Sequence, residues 1–268
     1  MRKRNFSTLS TKGAKMSKKR ESDMYEPIKS LLMSQGFIVR GEVNGCDIAA
    51  VRGEELWIVE MKLSANLTLI FQAMARQEAS ENVFIAVPRP KSGRDKKFRA
   101  LRKLVKKLEL GLIVVSLDSP VCLAEILIFP KNAKREVCPT NTSAHSPEAA
   151  TSRANKKASA IKKEIFGRTT DSPGGTSREK VNTAYRERCV KIACLLEARG
   201  AQSAKSLREM GCESDAYPIL RGNHFGWFEK IDKGIYDITE TCRNYLNESE
   251  DVTLITYYRM KAEYSESN

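Results

Sequence analysis

Only two histidines, His145 and His224, occur in the 268 residues, and none of the seven cysteines belongs to a Cys-x-x-Cys pair. Tetrahedral zinc centres draw on such Cys/His sets, so a zinc site is hard to assemble from this chain. The cysteines read instead as reduced thiols of a cytosolic protein. No apolar run approaches the ~18 to 20 residues of a membrane span, and no signal-peptide core follows the basic start. The expectation is a soluble, cytoplasmic protein with no membrane partner.

Acidic residues are also in deficit, 33 against 46 Lys and Arg, for a formal net charge of +13. Such an excess suits nucleic acid, but its location decides what it means. Residues 1–20 carry eight basic side chains and no acid, and residues 131–180 carry eleven against five. Removing these two segments (13 − 8 − 6) leaves −1, and charge runs in tails and linkers are commonly solvated. One excess survives: between Arg89 and Lys107 lie ten basic residues and a single acid, Asp95.

The order of patterns divides the chain. Residues 1–20 read as a disordered basic tail. From 21 to 130 helical and strand periods alternate: "YEPIKSLLMSQG" as a helix, then "FIVRGEV", "DIAAV" and "LWIVEMKL" as closely spaced strands. "NLTLIFQAMARQEA" returns to helix and "VFIAVP" to a buried strand. "GRDKKFRALRKLVKKLELG" predicts an amphipathic helix with a basic outer face, and "LIVVSL" and "CLAEILIF" close the sheet. This predicts an α/β domain with a mixed sheet flanked by helices. Residues 131–180, rich in Pro, Ser, Thr and Gly, read as a flexible linker. Residues 181–247 give helix, helix, helix, hairpin, the order of a winged helix-turn-helix, with Ser203 as a candidate cap and a turn at Asp232-Lys233-Gly234. Residues 248–268 read as a C-terminal tail.

The chemistry concentrates between Cys46 and Lys62. Asp47 opens one short apolar strand, and Glu60 and Lys62 close the next. Side chains alternate across a strand, so Glu60 and Lys62 share a face while Trp57, Val59 and Met61 take the other. A carboxylate among small apolar residues costs free energy unless a metal or partner compensates it. Asp47 and Glu60, with the Met61 backbone carbonyl as a third ligand, would hold Mg²⁺ (or Mn²⁺) through oxygen. Lys62 would position or help deprotonate an attacking water and offset phosphate charge. Glu21, Glu26 and Glu42 compete to add a further acid. The plain alternative is an edge-strand ion pair. A second acid-x-Lys, Asp95-Lys96-Lys97, opens a basic helix with no strand before it and carries no such implication.

Asp47, Glu60-x-Lys62, a helix before and a helix after resemble the PD-(D/E)XK phosphodiesterase superfamily, whose fold is restriction endonuclease-like. "ESDMYEPIKSLLMSQGF", "GEVNGCDIAAV", "IVEMK" and "LIFQAMARQ" are similar to an uncharacterised bacterial group of predicted PD-(D/E)XK phosphodiesterases. That group also carries segments like "AYRER", "ILRGNHFGWFEK" and "GIYDIT". The resemblance implies Asp47, Glu60 and Lys62 as the catalytic and metal set, Glu21 as the first-helix acid, and Gln72 as a helical polar residue near the site or the DNA backbone. Cys46 replaces the motif's proline, which removes no ligand.

Arg76, one helical turn from Gln72, could face substrate. Lys96, Lys97, Arg99 and Lys103 could follow a phosphate backbone, and Arg221 is the basic residue of the candidate recognition helix. Residues 181–268 sum to −2, which is poor for DNA binding, and His224 beside aromatics reads as a core or hydrogen-bonding residue. The sequence therefore predicts a Mg²⁺-dependent DNA phosphodiesterase, with RNA not excluded as substrate and a homodimer as one candidate assembly. The alternative is a non-catalytic DNA-binding or regulatory protein that keeps a nuclease fold.

Overall fold

The computed structural model describes residues 19–92, 95–118, 121–131, 147–175 and 183–264. The expected basic tail therefore lies almost wholly outside the described residues, as do 132–146 and 176–180 of the expected linker. A short 3-10 turn, Glu21–Met24, leads into α1 (Tyr25–Ser34), β1 (Ile38–Val43), β2 (Cys46–Arg52), β3 (Glu55–Met61), α2 (Leu67–Arg76), β4 (Asn82–Pro88), α3 (Lys96–Lys107), β5 (Gly111–Ser116) and β6 (Leu123–Ile128). The six strands form one sheet in chain order. β1, β2 and β3 pair antiparallel, β3, β4 and β5 parallel, and β6 antiparallel to β5.

Connection length explains this mixture. Asn44 and Gly45 join β1 to β2 with φ values of 49° and 76°, the mirror-image turn whose twist suits a two-residue hairpin. Parallel neighbours need a longer crossover, and α2 and α3 supply it. The carboxyl ends of β3, β4 and β5 thus share one edge with the start of β2, the usual ligand-binding edge of such sheets.

Period-two alternation builds two cores. Ala49, Val51, Ile58, Val83, Ile85, Leu112 and Val114 face Leu69, Ala73, Leu101 and Val105 of α2 and α3. Ile48, Ala50, Trp57, Val59, Met61, Phe84 and Ile113 face Tyr25, Ile28 and Leu32 of α1. Among the described residues no helix is long and apolar enough to cross a membrane. Of the described cysteines only Cys122 is exposed; the other five are buried.

The span read as a linker holds a 21-residue helix, α4 (Pro147–Gly167). Ile161 and Ile165, one turn apart, are buried in the core beneath α2 and α3. Arg168 follows, 4% exposed, donating to the carbonyls of Gly41 (3.0 Å) and Glu42 (2.9 Å) and to Glu164 Oε1 (2.9 Å). A solvated linker does not bury a guanidinium. The sparse isoleucine stripe is masked in the sequence by surrounding lysines, alanines and serines.

The C-terminal unit contains α5 (Ala184–Arg199), β7 (Gln202–Ser203), α6 (Ala204–Glu209), α7 (Ala216–Gly222), β8 (Phe228–Asp232), β9 (Ile235–Ile238), α8 (Glu240–Glu248) and α9 (Val252–Tyr264), with strand order β7-β9-β8. Ser203 caps α6 by accepting from Ser206 N at 3.1 Å, and Gly234 (φ 78°) makes the expected hairpin turn. The expected tail contains α9, whose Leu254, Ile255, Tyr258 and Ala262 are buried in the same core as α5. The three- and four-residue spacing of these side chains is helical, although β-branched and aromatic residues weaken the local propensity.

Replacing Ile165, 0% exposed, with alanine should lower the unfolding free energy by about 2–4 kcal/mol in urea titrations. An unchanged midpoint would mean that α4 contributes nothing to the core.

Candidate active site

The register places the carboxylates. Ile48 pairs with Val59, so one step further Asp47 stands opposite Glu60, and both lie on the sheet face that carries α2. Asp47 Oδ2 accepts the Met61 backbone N–H at 2.7 Å. Glu60 is 0% exposed. Its Oε1 accepts from Arg76 Nε at 2.6 Å, and Arg76 Nη2 also donates to the Gly45 carbonyl. Lys62 shares the face and pairs with Glu21 Oε2 at 2.9 Å.

Two buried side-chain oxygens here have no protein partner: Glu60 Oε2 and Gln72 Oε1. An unsatisfied buried acceptor is costly, which makes such atoms markers of a ligand or an ordered water. Burial, and then the Asp47 charge, push the Glu60 carboxyl up to about 7 against the pull of Arg76. Burial also raises Asp47, opposed by the Met61 N–H and Lys62. The Glu21 hydrogen bond raises Lys62 and keeps it an ammonium.

Hard oxygen donors, one of them orphaned, fit a divalent cation. Among the described residues, however, no group of three or more His, Cys, Asp and Glu side chains is gathered to hold a metal ion. Asp47 and Glu60 would therefore share such an ion with amide, backbone or water oxygens, because Glu21 is engaged by Lys62.

Among the competing acids, Glu21 is the one brought to Lys62. Glu26 is exposed, 3.9 Å from Lys29. Glu42 sits at φ 52° and accepts the Gly175 N–H at 2.8 Å. Arg76, expected to face substrate, has its guanidinium bonded to Glu60 and Gly45. Sequence spacing puts Arg76 and Gln72 on a common face, but the hairpin turn that brings Gly45 to this helix has no signal there. Lys96, Lys97, Arg99 and Lys103 line the exposed side of α3, with Asp95 as its cap, accepting from Lys97 N at 2.8 Å. α3 starts from the same sheet edge. Arg221 is exposed at the end of α7, in the C-terminal unit. His224 is exposed, 5.5 Å between ring centroids from Tyr185, and so is not a core residue.

One element near the site has no counterpart among the sequence expectations. Residues after α4 reach Asp47: a methyl at Gly174 would stand 2.2 Å from the Asp47 carbonyl oxygen. Its "TTDSPGG" composition signals a turn-rich loop but not where the loop packs.

Residues 130–245 match the family model described as "Putative PD-(D/E)XK phosphodiesterase (DUF2161)", the superfamily that the strand motif resembles. The match covers less than half of the chain. It includes α4, the following loop and most of the C-terminal unit, and it stops short of Asp47, Glu60 and Lys62. No curated protein and no solved structure matches the chain.

Glu60 generates a signed pH dependence. Its folded-state value, about 7, lies above its ordinary 4.5, so it contributes stability at low pH that is lost as pH rises through about 7. In metal-free buffer, Glu60→Gln should flatten the fall of Tm between pH 5 and 8. Parallel wild-type and variant curves would remove the raised carboxyl.

Proposed function

We propose that this chain is a divalent-cation-dependent nuclease of PD-(D/E)XK type, hydrolysing DNA phosphodiester bonds. The observation that carries the reading is the pairing of Asp47 with Glu60 across β2 and β3, with the Lys62 ammonium on the same face and Glu60 Oε2 unpartnered. A divalent cation bound by Asp47, Glu60 and the Met61 carbonyl would supply Lewis-acid polarisation of the phosphate and acidify a water. Lys62, held charged by Glu21, offsets negative charge that grows on the phosphate oxygens and orients the attacking water. Its pairing argues for this electrostatic role over proton abstraction. Arg76 fixes the Glu60 rotamer by holding one oxygen. Gln72, one helical turn before Arg76 on α2, carries a second buried oxygen without a protein partner.

The exposed Lys and Arg row of α3 begins at the edge where the carboxylates lie and supplies the phosphate-tracking surface. The order of α5, β7, α6, α7 and the β8–β9 hairpin supports a winged helix, whose acidic balance favours positioning over independent DNA affinity. The Arg76–Glu60 pair supports a second reading, a non-catalytic DNA-binding protein, because a guanidinium already neutralises part of the charge that would bind a cation.

Purified protein incubated with plasmid, linear, single-stranded and branched DNA, and with RNA, in Mg²⁺, Mn²⁺ or EDTA separates these readings. Cleavage should require the divalent ion and fall at least ~100-fold in Glu60→Gln and Lys62→Ala. Salt-dependent gel shifts without cleavage in either metal favour the second reading. Neutralising Lys96, Lys97 and Lys103 together should weaken binding across all sequences. The salt slope should shrink by about 0.9 for each duplex phosphate that is no longer neutralised.

A further inference from the structure

The segment Arg168–Gly175 bridges the two units through hydrogen bonds on both sides. On one side stands Glu187 of α5, 0% exposed. It accepts the backbone N–H groups of Thr169 (2.6 Å) and Thr170 (2.9 Å) and the Thr170 hydroxyl. The Thr169 hydroxyl lies 3.2 Å from that of Tyr258 on α9. On the other side Arg168 grips the Gly41 and Glu42 carbonyls. Asp171 accepts from the Tyr25 hydroxyl (2.6 Å) and the Gly41 N–H (3.0 Å) and pairs with Lys29 (2.6 Å).

The far end of the segment presses on the candidate site. A methyl at Gly174 would lie 2.2 Å from the Asp47 carbonyl oxygen and 3.0 Å from Met61 Cε. One at Gly175 (φ 79°) would lie 3.1 Å from Glu21 Cβ. The loop backbone therefore packs directly on the two acids that sit at element ends. Asp47 is the second residue of its strand, next to a hairpin turn, and Glu21 opens a single 3-10 turn. Such termini fray unless something packs on them.

We propose that Glu187, acting through the strap Arg168–Gly175, is a positioning residue for the site, so that the C-terminal unit helps hold Asp47 and Glu21 in place. This rests on the nuclease reading for its catalytic consequence, though not for the physical coupling itself. Glu187 touches no candidate ligand. It fixes Thr169 and Thr170, which register Gly174 and Gly175 against the two acids. A carboxylate is suited to the task because three donors converge on its two oxygens, and an amide at that position offers one acceptor where two are used.

The test uses the full chain with Glu187→Gln and Gly174→Ala, and reads amide hydrogen exchange, Tm and cleavage kinetics together. Gly174→Ala should speed exchange at Asp47 and Ile48 and in the Glu21–Met24 turn, while the central strand β4 stays protected. Glu187→Gln should do the same from the opposite end, first at Thr169 and Thr170 and then at Asp47. In both, kcat should fall ~10- to 100-fold with KM for DNA within about twofold, the pattern of misplaced catalytic groups. Should Gly174→Ala fail to fold, Thr170→Val, which removes one hydroxyl donor to Glu187, takes its place. Unchanged exchange at Asp47 in the folded variants overturns the proposal, as does a loss of activity confined to KM. A wild-type protein that cleaves nothing yet shows the coupled exchange refutes the nuclease reading and leaves the positioning link standing.

Discussion

A carboxylate sealed between a sheet and a helix must be met by a cation, a hydrogen-bond donor or a proton, and Glu60 is met on one oxygen only. That single constraint organises the region around it. Arg76, half-buried, reaches it, tying the end of α2 to β3 and, through the Gly45 carbonyl, to the β1–β2 hairpin. Asp47 opposite raises the cost of a second negative charge, and the Met61 N–H steadies Asp47 in turn. What remains is one buried carboxyl oxygen, Glu60 Oε2, with no protein partner. Apolar packing would be less costly at this position, since replacing buried charges with well-packed hydrophobes is often neutral or stabilising.

The sheet achieves this arrangement with little chain. Antiparallel β2 and β3 meet across the short Gly53-Glu54 turn, so Asp47 and Glu60 come into register without long-range ordering. The parallel step to β4 then carries α2 across the same face. Met61 and Lys62 illustrate the period-two rule: the thioether is buried against α1 while the neighbouring ammonium points to Glu21. A slip of one residue in β3 would exchange these roles and place a lysine in the apolar layer.

The facing of Asp47 and Glu60 across two strands is legible in the sequence because alternation in short strands is a strong local signal, and so are the α/β order of residues 21–130 and the capping by Ser203. Less local features are hidden. Arg76 has the spacing of a solvent-facing cation because nothing along the chain foretells which hairpin folds back over a helix. α4 is masked because two isoleucines among lysines and serines make a weak stripe, and α9 because Thr, Val and Tyr blur helical propensity. The loop after α4 has the composition of mere punctuation. Its identity as a packed strap depends on contacts more than a hundred residues away along the chain, such as Arg168 with Gly41 and Gly175 with Glu42.

The strap also has a temporal consequence. A ribosome releases the sheet with both carboxylates well before Thr169, Thr170 and Glu187 have been polymerised, so the nascent protein passes through a stage in which the Asp47 carbonyl has no glycine backbone against it. Maturation of that corner is thereby deferred until the chain has been translated through Glu187.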